Sequence, residues 1–148
     1  MEKVKIWIED GAFLPKREHC NDAGLDLCVM ESTCILPGRN LVKTGVHIAM
    51  PDHCTGDVRP RSGFSLKGFN NGVGKRFDAD VLYGTVDPGY RGEIGVIVKS
   101  HEGFPFMVEK GTAIAQLVII RGVANDDDIE VVDSYEDDSN RGEKGFGG

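Results

Sequence analysis

Wherever apolar and polar positions alternate clearly along this chain of 148 residues, they do so with a period of two. Val4, Ile6 and Ile8 fall on one face of an extended segment and Lys3, Lys5 and Trp7 on the other, which is the pattern of a half-buried strand. The same reading predicts strands over 25–30, 33–36, 46–50, 54–59, 93–99, 104–108 and 113–121. Turn signals separate them: Pro37-Gly38, Pro51-Asp52, Asn70-Asn71-Gly72 and Asp87-Pro88-Gly89. Val118-Ile119-Ile120 is a continuous apolar run, as expected of a strand covered on both faces, for example at a subunit interface. The longest stretch without Gly or Pro, 123–141, carries Asp126, Asp127, Asp128, Glu136, Asp137 and Asp138 and has no apolar stripe of helical period. Many short strands with frequent turns predict an all-β sandwich, barrel or jelly roll. A helical bundle, a coiled coil and a doubly wound α/β domain are excluded.

Composition, size and charge sharpen this. Glycine numbers 20 of 148, nearly twice the roughly 7% of ordinary usage, and its irregular spacing among Val and Ile fits neither collagen nor a linker. The domain therefore needs many unusual backbone angles. A chain of this size buries roughly 68–70% of its unfolded surface, enough for a core without staples. The net charge of −7 argues against non-specific nucleic-acid binding, yet leaves room for a small anionic ligand held by a few local cations. No run of 18 apolar residues and no signal-peptide core is present, so no membrane association is expected and the location is read as cytoplasmic, or as nuclear or host cytoplasm for a viral source. Cys20, Cys28, Cys34 and Cys54 lack C-x-x-C spacing. They read as reduced thiols in or near strands, with a zinc site at His19-Cys20 and His53-Cys54 as the other option. Residues 1–138 read as one β domain and 139–148 as a mobile, glycine-rich C-terminal arm.

Five segments combine glycine with charged or hydroxyl residues. Asp22-Ala23-Gly24-Leu25-Asp26-Leu27 turns into a strand with two carboxylates four positions apart, and by itself is an ordinary Asp turn. Arg59-Pro60-Arg61-Ser62-Gly63 groups guanidinium forks, a hydroxyl and open backbone N–H groups, which suits phosphate oxygens or makes a plain basic turn. Gly84-Thr85-Val86-Asp87-Pro88-Gly89-Tyr90-Arg91-Gly92-Glu93 reads first as a hairpin joining two strands. It also presents a carboxylate beside a Tyr ring, and that carboxylate serves as general base if it reaches a water. Gly111-Thr112-Ala113-Ile114-Ala115-Gln116-Leu117 sets one amide in an apolar strand, where structural hydrogen bonding is the simpler account. Arg141-Gly142-Glu143-Lys144-Gly145-Phe146-Gly147-Gly148 has the backbone and charge to wrap phosphates and a Phe to stack on something flat, although disorder explains an isolated tail equally well. It is not a Walker A loop.

In this order the five segments resemble the five motifs of the trimeric deoxyuridine triphosphatases (dUTP diphosphatases), over Asp22 to Gly148. The resemblance implies a distorted jelly-roll domain in a homotrimer, with active sites shared between subunits. It implies Mg²⁺-assisted hydrolysis of dUTP to dUMP and pyrophosphate, which keeps uracil out of DNA and supplies dUMP for thymidylate synthesis. By the same resemblance Asp87 is the catalytic aspartate that activates water and contacts the sugar 3′-OH, and Tyr90 packs against deoxyribose. Backbone of Gly84, Thr85 and Val86, with Val81 and Gly95 nearby, reads the uracil edge. Arg61, Ser62 and Gly63 hold phosphates, Gln116 binds phosphate or the attacking water, and Asp26 meets the metal through water. Arg141 pairs with the γ-phosphate, and Phe146, followed by Gly147, stacks on uracil when the arm closes.

Three departures stand out. Ala113 occupies a position where the fourth motif usually has Arg, no Ser or Thr follows Gly148, and the loop over 64–83 is longer than in compact members. That loop reads as a tolerated surface insertion or as an added protein-binding or trimer contact. A regulatory or signalling trimer with secondary catalysis is the alternative function. The related dCTP deaminases are disfavoured because Val96, Ile97 and Val98 stand where their glutamate would fall.

Overall fold

The computed structural model describes residues 2–124, 126–134, 136 and 139–144. In chain order its elements are β1 (Lys5–Ile8), β2 (Leu25–Cys28), β3 (Thr33–Ile35), β4 (Gly38–Ala49), β5 (Cys54–Arg59), α1 (Ser62–Lys67), β6 (Phe69–Asn70) and β7 (Arg76–Phe77). There follow β8 (Ala79–Val81), β9 (Gly84–Val86), β10 (Ile94–Ser100), β11 (Phe106–Val108), β12 (Ala113–Arg121) and a 3₁₀ turn at Asp126–Asp128. The fold is thus nearly all β, as the period-two pattern predicts. No helix of the described residues is long and apolar enough to cross a membrane.

Two four-stranded antiparallel sheets, ordered β1-β4-β10-β8 and β2-β12-β5-β9, carry most of the domain. Alternation decides which side chains they bury. In β10, Ile94, Val96 and Val98 are buried while Ile97 is exposed. These residues join Val42, Val46 and Ile48 of β4 and Leu27, Val58 and Leu117 of the other sheet in one cluster. Each such side chain removed from water contributes roughly 1.5–3 kcal/mol. In β12 both Leu117 and Val118 are buried, and Ile119 and Ile120 are half-buried, so the apolar run is partly covered on both faces.

Several expectations need correction. β4 extends over twelve residues instead of 46–50. Val42, Thr44, Val46 and Ile48 all face inward across a bulge at Thr44-Gly45, where Ile94 of β10 pairs with Val46 but Gly95 with Lys43. Yet Asn40 and Thr44 are polar on that side and Leu41 is apolar on the exposed one, so the apolar pattern fails. Gly45 has φ 68°, and a Cβ there would lie 2.6 Å from the Ala12 methyl carbon, so the bulge requires glycine. Ile8 and Phe104 are exposed, leaving Val4 and Ile6 as the first segment's residues packed against the core. The Asp87-Pro88-Gly89 segment is not a hairpin between paired strands. It joins β9 and β10, which belong to different sheets, and so forms a corner between the two layers.

The segment over 64–83 is also more than a surface insertion. It contains the last four residues of α1, the β6–β7 hairpin and β8, and it buries Phe69 completely. Phe69 meets Phe64 edge-on at 5.0 Å between centroids, and Phe77 stacks on Phe106 at 4.1 Å. The turn between β6 and β7 is closed by Asn71, whose side-chain oxygen accepts the N–H groups of Val73 and Lys75.

Candidate functional site

Four of the five chemistry-bearing segments gather into two hollows. The first, of about 360 Å³, is lined mainly by apolar and backbone surface: Leu41, Lys43, Val58, Gly84, Thr85, Val86, Asp87, Tyr90, Gly95 and Ile97 are among its walls. β9 is the edge strand of its sheet, paired only with β5, so alternate N–H and C=O groups of Gly84–Val86 lack a sheet partner among the described residues. Asp87 stands exposed at the rim. Its corner is folded by a Tyr90 N–H to Asp87 carbonyl bond of 3.1 Å, and the Tyr90 hydroxyl donates to the Glu93 carbonyl at 2.8 Å. Gly95 lies beneath Leu41: a Cβ there would come 2.5 Å from the Leu41 Cδ1.

The second hollow, of about 300 Å³, is polar and lined by Glu18, His19, Asp22, Ala23, Gly24, Asp26, Arg61, Ser62 and Gln116. Strand pairing makes it. Gln116 of β12 lies between Asp26 of β2 and Arg59 of β5, so three motifs meet on one edge of the sheet. The Gln116 amide donates to the Pro60 carbonyl at 3.1 Å. Gly24 packs so close that a Cβ would sit 2.2 Å from the Gln116 Oε1. Arg61 lies 3.6 Å from both the Asp26 and Glu18 carboxylates, and its Nη1 donates weakly to the Ala113 carbonyl at 3.4 Å. Arg61 is the residue before α1, so Ser62 follows at the helix start, where backbone N–H groups have no helical partner. Cys28 sits close by. Its thiol is pushed up first by burial and next by the Asp26 charge, against the opposing effect of Arg61.

The two hollows share no wall residue. Val86, next to Asp87, pairs with Gly56, whereas Gln116 pairs with Arg59, three residues or about 10 Å farther along β5. From those points the chain runs to Asp87 and to Arg61 in opposite directions.

A dUTPase family model matches residues 10–148, nearly the whole chain. The chain belongs to the dUTPase family. Among its relatives, the deoxyuridine 5′-triphosphate nucleotidohydrolase of Clostridium tetani is 44% identical, with 98% of this chain and 93% of the relative covered. That of Gloeothece citriformis is 43% identical over 98% and 94%. Among solved structures, the dUTPase of Staphylococcus bacteriophage 80alpha with dUpNHpp superposes with a TM-score of 0.80 at 27% identity, covering 99% of this chain and 98% of that one. A mutant dUTPase of S. aureus phage phi11, reported with a coordinated structural Mg(II) ion, shares the fold with a TM-score of 0.76 at 21% identity, over 92% and 100%.

Within this family frame, the other sequence-nominated residues are placed as follows. Val81 lies in β8, buried in the core, and does not line the first hollow. Gly63 is exposed on α1 outside the second hollow. Arg141 lies in a turn closed on itself, where its Nε donates to the Lys144 carbonyl and the Gly142 N–H donates to Ser139 Oγ. Phe146 and Gly147 lie outside the described residues. The cysteines are scattered from exposed to buried. Among the described residues, the one group of three metal-ligating side chains is Glu18, His19 and Asp22, with no cysteine in it. Sequence reasoning missed Glu18, His19, Leu41 and Ile97 as wall residues. His19 is singled out in the sequence only as a zinc option and the others carry no motif signal; strand register and loop packing bring them there.

The second hollow fits Mg²⁺ by its donor chemistry. Glu18, Asp22 and Asp26 put carboxylates in its wall with Arg61, which matches an ion that takes one or two carboxylates, waters and substrate phosphates.

Proposed function

We propose that this chain hydrolyses dUTP to dUMP and pyrophosphate in a homotrimer of jelly-roll domains, with each active site completed by a neighbouring subunit. One observation carries the shared-site reading: in one chain Asp87 lies beyond the Gly56–Val86 pair and Arg61 beyond the Arg59–Gln116 pair, toward opposite ends of β5, and their hollows share no wall residue. A general base acts within about 2.6–3.2 Å of its proton or through one water. Within a single chain Asp87 is too far from the Arg61 end to act on a phosphate held there, whereas a second copy brings the two halves together.

In this reading the free edge of β9 reads the uracil base. Uracil presents acceptor, donor and acceptor along its edge, and cytosine presents a different pattern, so fixed backbone groups discriminate between them. Val81 supports this wall from the core, and Gly95 leaves space for the flat ring. Tyr90, held by its bond to the Glu93 carbonyl, packs against deoxyribose and leaves no room for a 2′-hydroxyl. Arg61, Ser62 and Gly63 bind phosphate oxygens by charge, hydroxyl and helix-start N–H groups, and Gln116 orients phosphate or water. Asp87 accepts the proton of the water that attacks the α-phosphorus in line. Asp26, through water, with its neighbouring carboxylates would hold Mg²⁺, which when bound neutralises charge on the triphosphate. Arg141 reaches the γ-phosphate, and Phe146 and Gly147 close over the base, excluding water and strengthening every charge contact.

The regulatory alternative loses its main support, since the 64–83 segment commits Phe69 to the chain's own core. Pyrophosphate release is measured with dUTP, dCTP, dTTP and UTP in Mg²⁺, with turnover expected on dUTP alone. Asp87→Asn and Arg61→Gln chains are then assayed separately and after co-refolding. Each alone is expected to be inactive, and mixed trimers are expected to regain activity at sites that combine an intact Asp87 with an intact Arg61. No recovery in mixed trimers would put both residues in one chain's site.

A further inference from the structure

The corner that carries Asp87 and Tyr90 is anchored to β4 from two sides. Glu93 accepts the Gly45 N–H of the bulge at 2.7 Å, and its other oxygen lies 3.8 Å from Lys43 Nζ. Two residues beyond Gly45, His47 reaches the same corner: its Nδ1 lies 2.8 Å from the Arg91 carbonyl, while its Nε2 lies 2.9 Å from a Glu9 carboxylate oxygen. Trp7 stacks on the imidazole at 5.4 Å and 13° between planes, fixing the ring's orientation. The Arg91 guanidinium folds back onto the Pro88 and Tyr90 carbonyls. The peptide that His47 meets therefore belongs to the closed turn between Asp87 and Glu93.

A backbone carbonyl and a carboxylate only accept hydrogen bonds. Neutral imidazole has a single N–H, so both contacts are hydrogen bonds only when the ring is an imidazolium. The charged groups around it favour that form. Glu9 follows β1 and Glu93 precedes β10, both acidic; of the cations, Lys43 on β4 is engaged with Glu93 and Arg91 with the turn carbonyls. The Arg91 carbonyl, then the Glu9 carboxylate, raise the ring's pKa, opposed by partial desolvation.

We propose that His47 is a positioning residue for the reaction: as an imidazolium it latches the 87–93 corner to β4 and Glu9, and so fixes where Asp87 and Tyr90 stand. The inference rests on the roles assigned above to those two residues. His47 and Glu9 lie outside all five motifs, and His47 acts through the corner's backbone rather than on substrate.

The test has two arms in the full chain. Proton–nitrogen NMR follows the His47 ring and the amides of Tyr90, Gly92 and Glu93 from about pH 5.5 to 9. The ring is expected to titrate above the usual value of about 6.5, the corner amides to move with the same midpoint, and that midpoint to drop in Glu9→Gln. In the second arm, kcat and KM for dUTP are measured over the same range for the native chain and His47→Gln. Taking the ratio cancels the other titrations. The native-to-variant ratio of kcat/KM is expected to fall about three- to tenfold as pH rises through the ring's midpoint, carried by kcat. A ratio flat with pH, or corner amides indifferent to the ring's titration, overturns the proposal. If no dUTP is hydrolysed at all, the assigned reaction fails, while the NMR arm, which needs no substrate, still decides whether His47 holds the corner.

Discussion

Replacing Phe69 by Ala tests whether the 64–83 segment is an integral part of the domain. The Phe69 ring is fully buried, meets Phe64 edge-on at 5.0 Å and lies 5.9 Å from Phe106. Truncating a buried Phe to Ala costs about 3–5 kcal/mol, combining lost transfer energy with the cavity left behind. Each aromatic pair accounts for about 0.5–1.5 kcal/mol of that cost. For a chain of this length, 1 kcal/mol moves the melting temperature by about 2–4 °C, so Phe69→Ala should lower it by about 6–20 °C. The assay is thermal unfolding followed by circular dichroism at fixed protein concentration, since subunit association makes the midpoint concentration-dependent. Val73→Ala serves as the control, because Val73 is 64% exposed in the same segment. That change should stay within about 0.5 kcal/mol. If Phe69→Ala melts within a degree or two of the control, the segment is not packed as described and the aromatic cluster does not hold it.

Two glycines and one histidine give further checks. Gly24→Ala would thrust a Cβ to within 2.2 Å of the Gln116 Oε1, so the amide must leave its place; kcat/KM on dUTP is expected to drop at least tenfold while the fold, read by circular dichroism, persists. Gly95→Ala meets the Leu41 side chain, at 2.5 Å from Cδ1 and 3.3 Å from Cγ; it should alter the melting temperature little yet raise KM markedly, because the methyl and the Leu41 side chain it displaces crowd the hollow assigned to uracil. His47 has a folded-state pKa raised above its unfolded value, chiefly by the Arg91 carbonyl and then by Glu9. Its contribution to stability is therefore complete below the unfolded pKa of about 6.5 and is lost as pH rises through the folded value. Urea midpoints of the native chain and His47→Gln should accordingly converge toward high pH; a gap that widens with pH would contradict the sign.

The chain's pattern of apolar positions determines its all-β character and the placement of most strands. A period of two is a local property, and β5 and β12 have the bounds that the pattern predicts. The segments rich in Gly, Asp and Arg mark the chemistry for the same reason, since each motif is contiguous in sequence. What the tertiary structure alone decides are relations across the chain. The first eight residues of β4 escape an alternation test because its inward side carries polar Asn40 and Thr44 while apolar Leu41 faces outward. The Asp87 corner reads locally as a hairpin, yet the strands on either side of it pair with different partners and belong to different sheets. Gln116 has its neighbours through register, opposite Asp26 on one side and Arg59 on the other, and register is fixed by burial of Leu117 and Ala115 rather than by any motif. His47 carries no signal in its own segment. It gains meaning only because β1 and the corner each bring an acceptor to one of its two nitrogens, a meeting set by strand order rather than by sequence proximity.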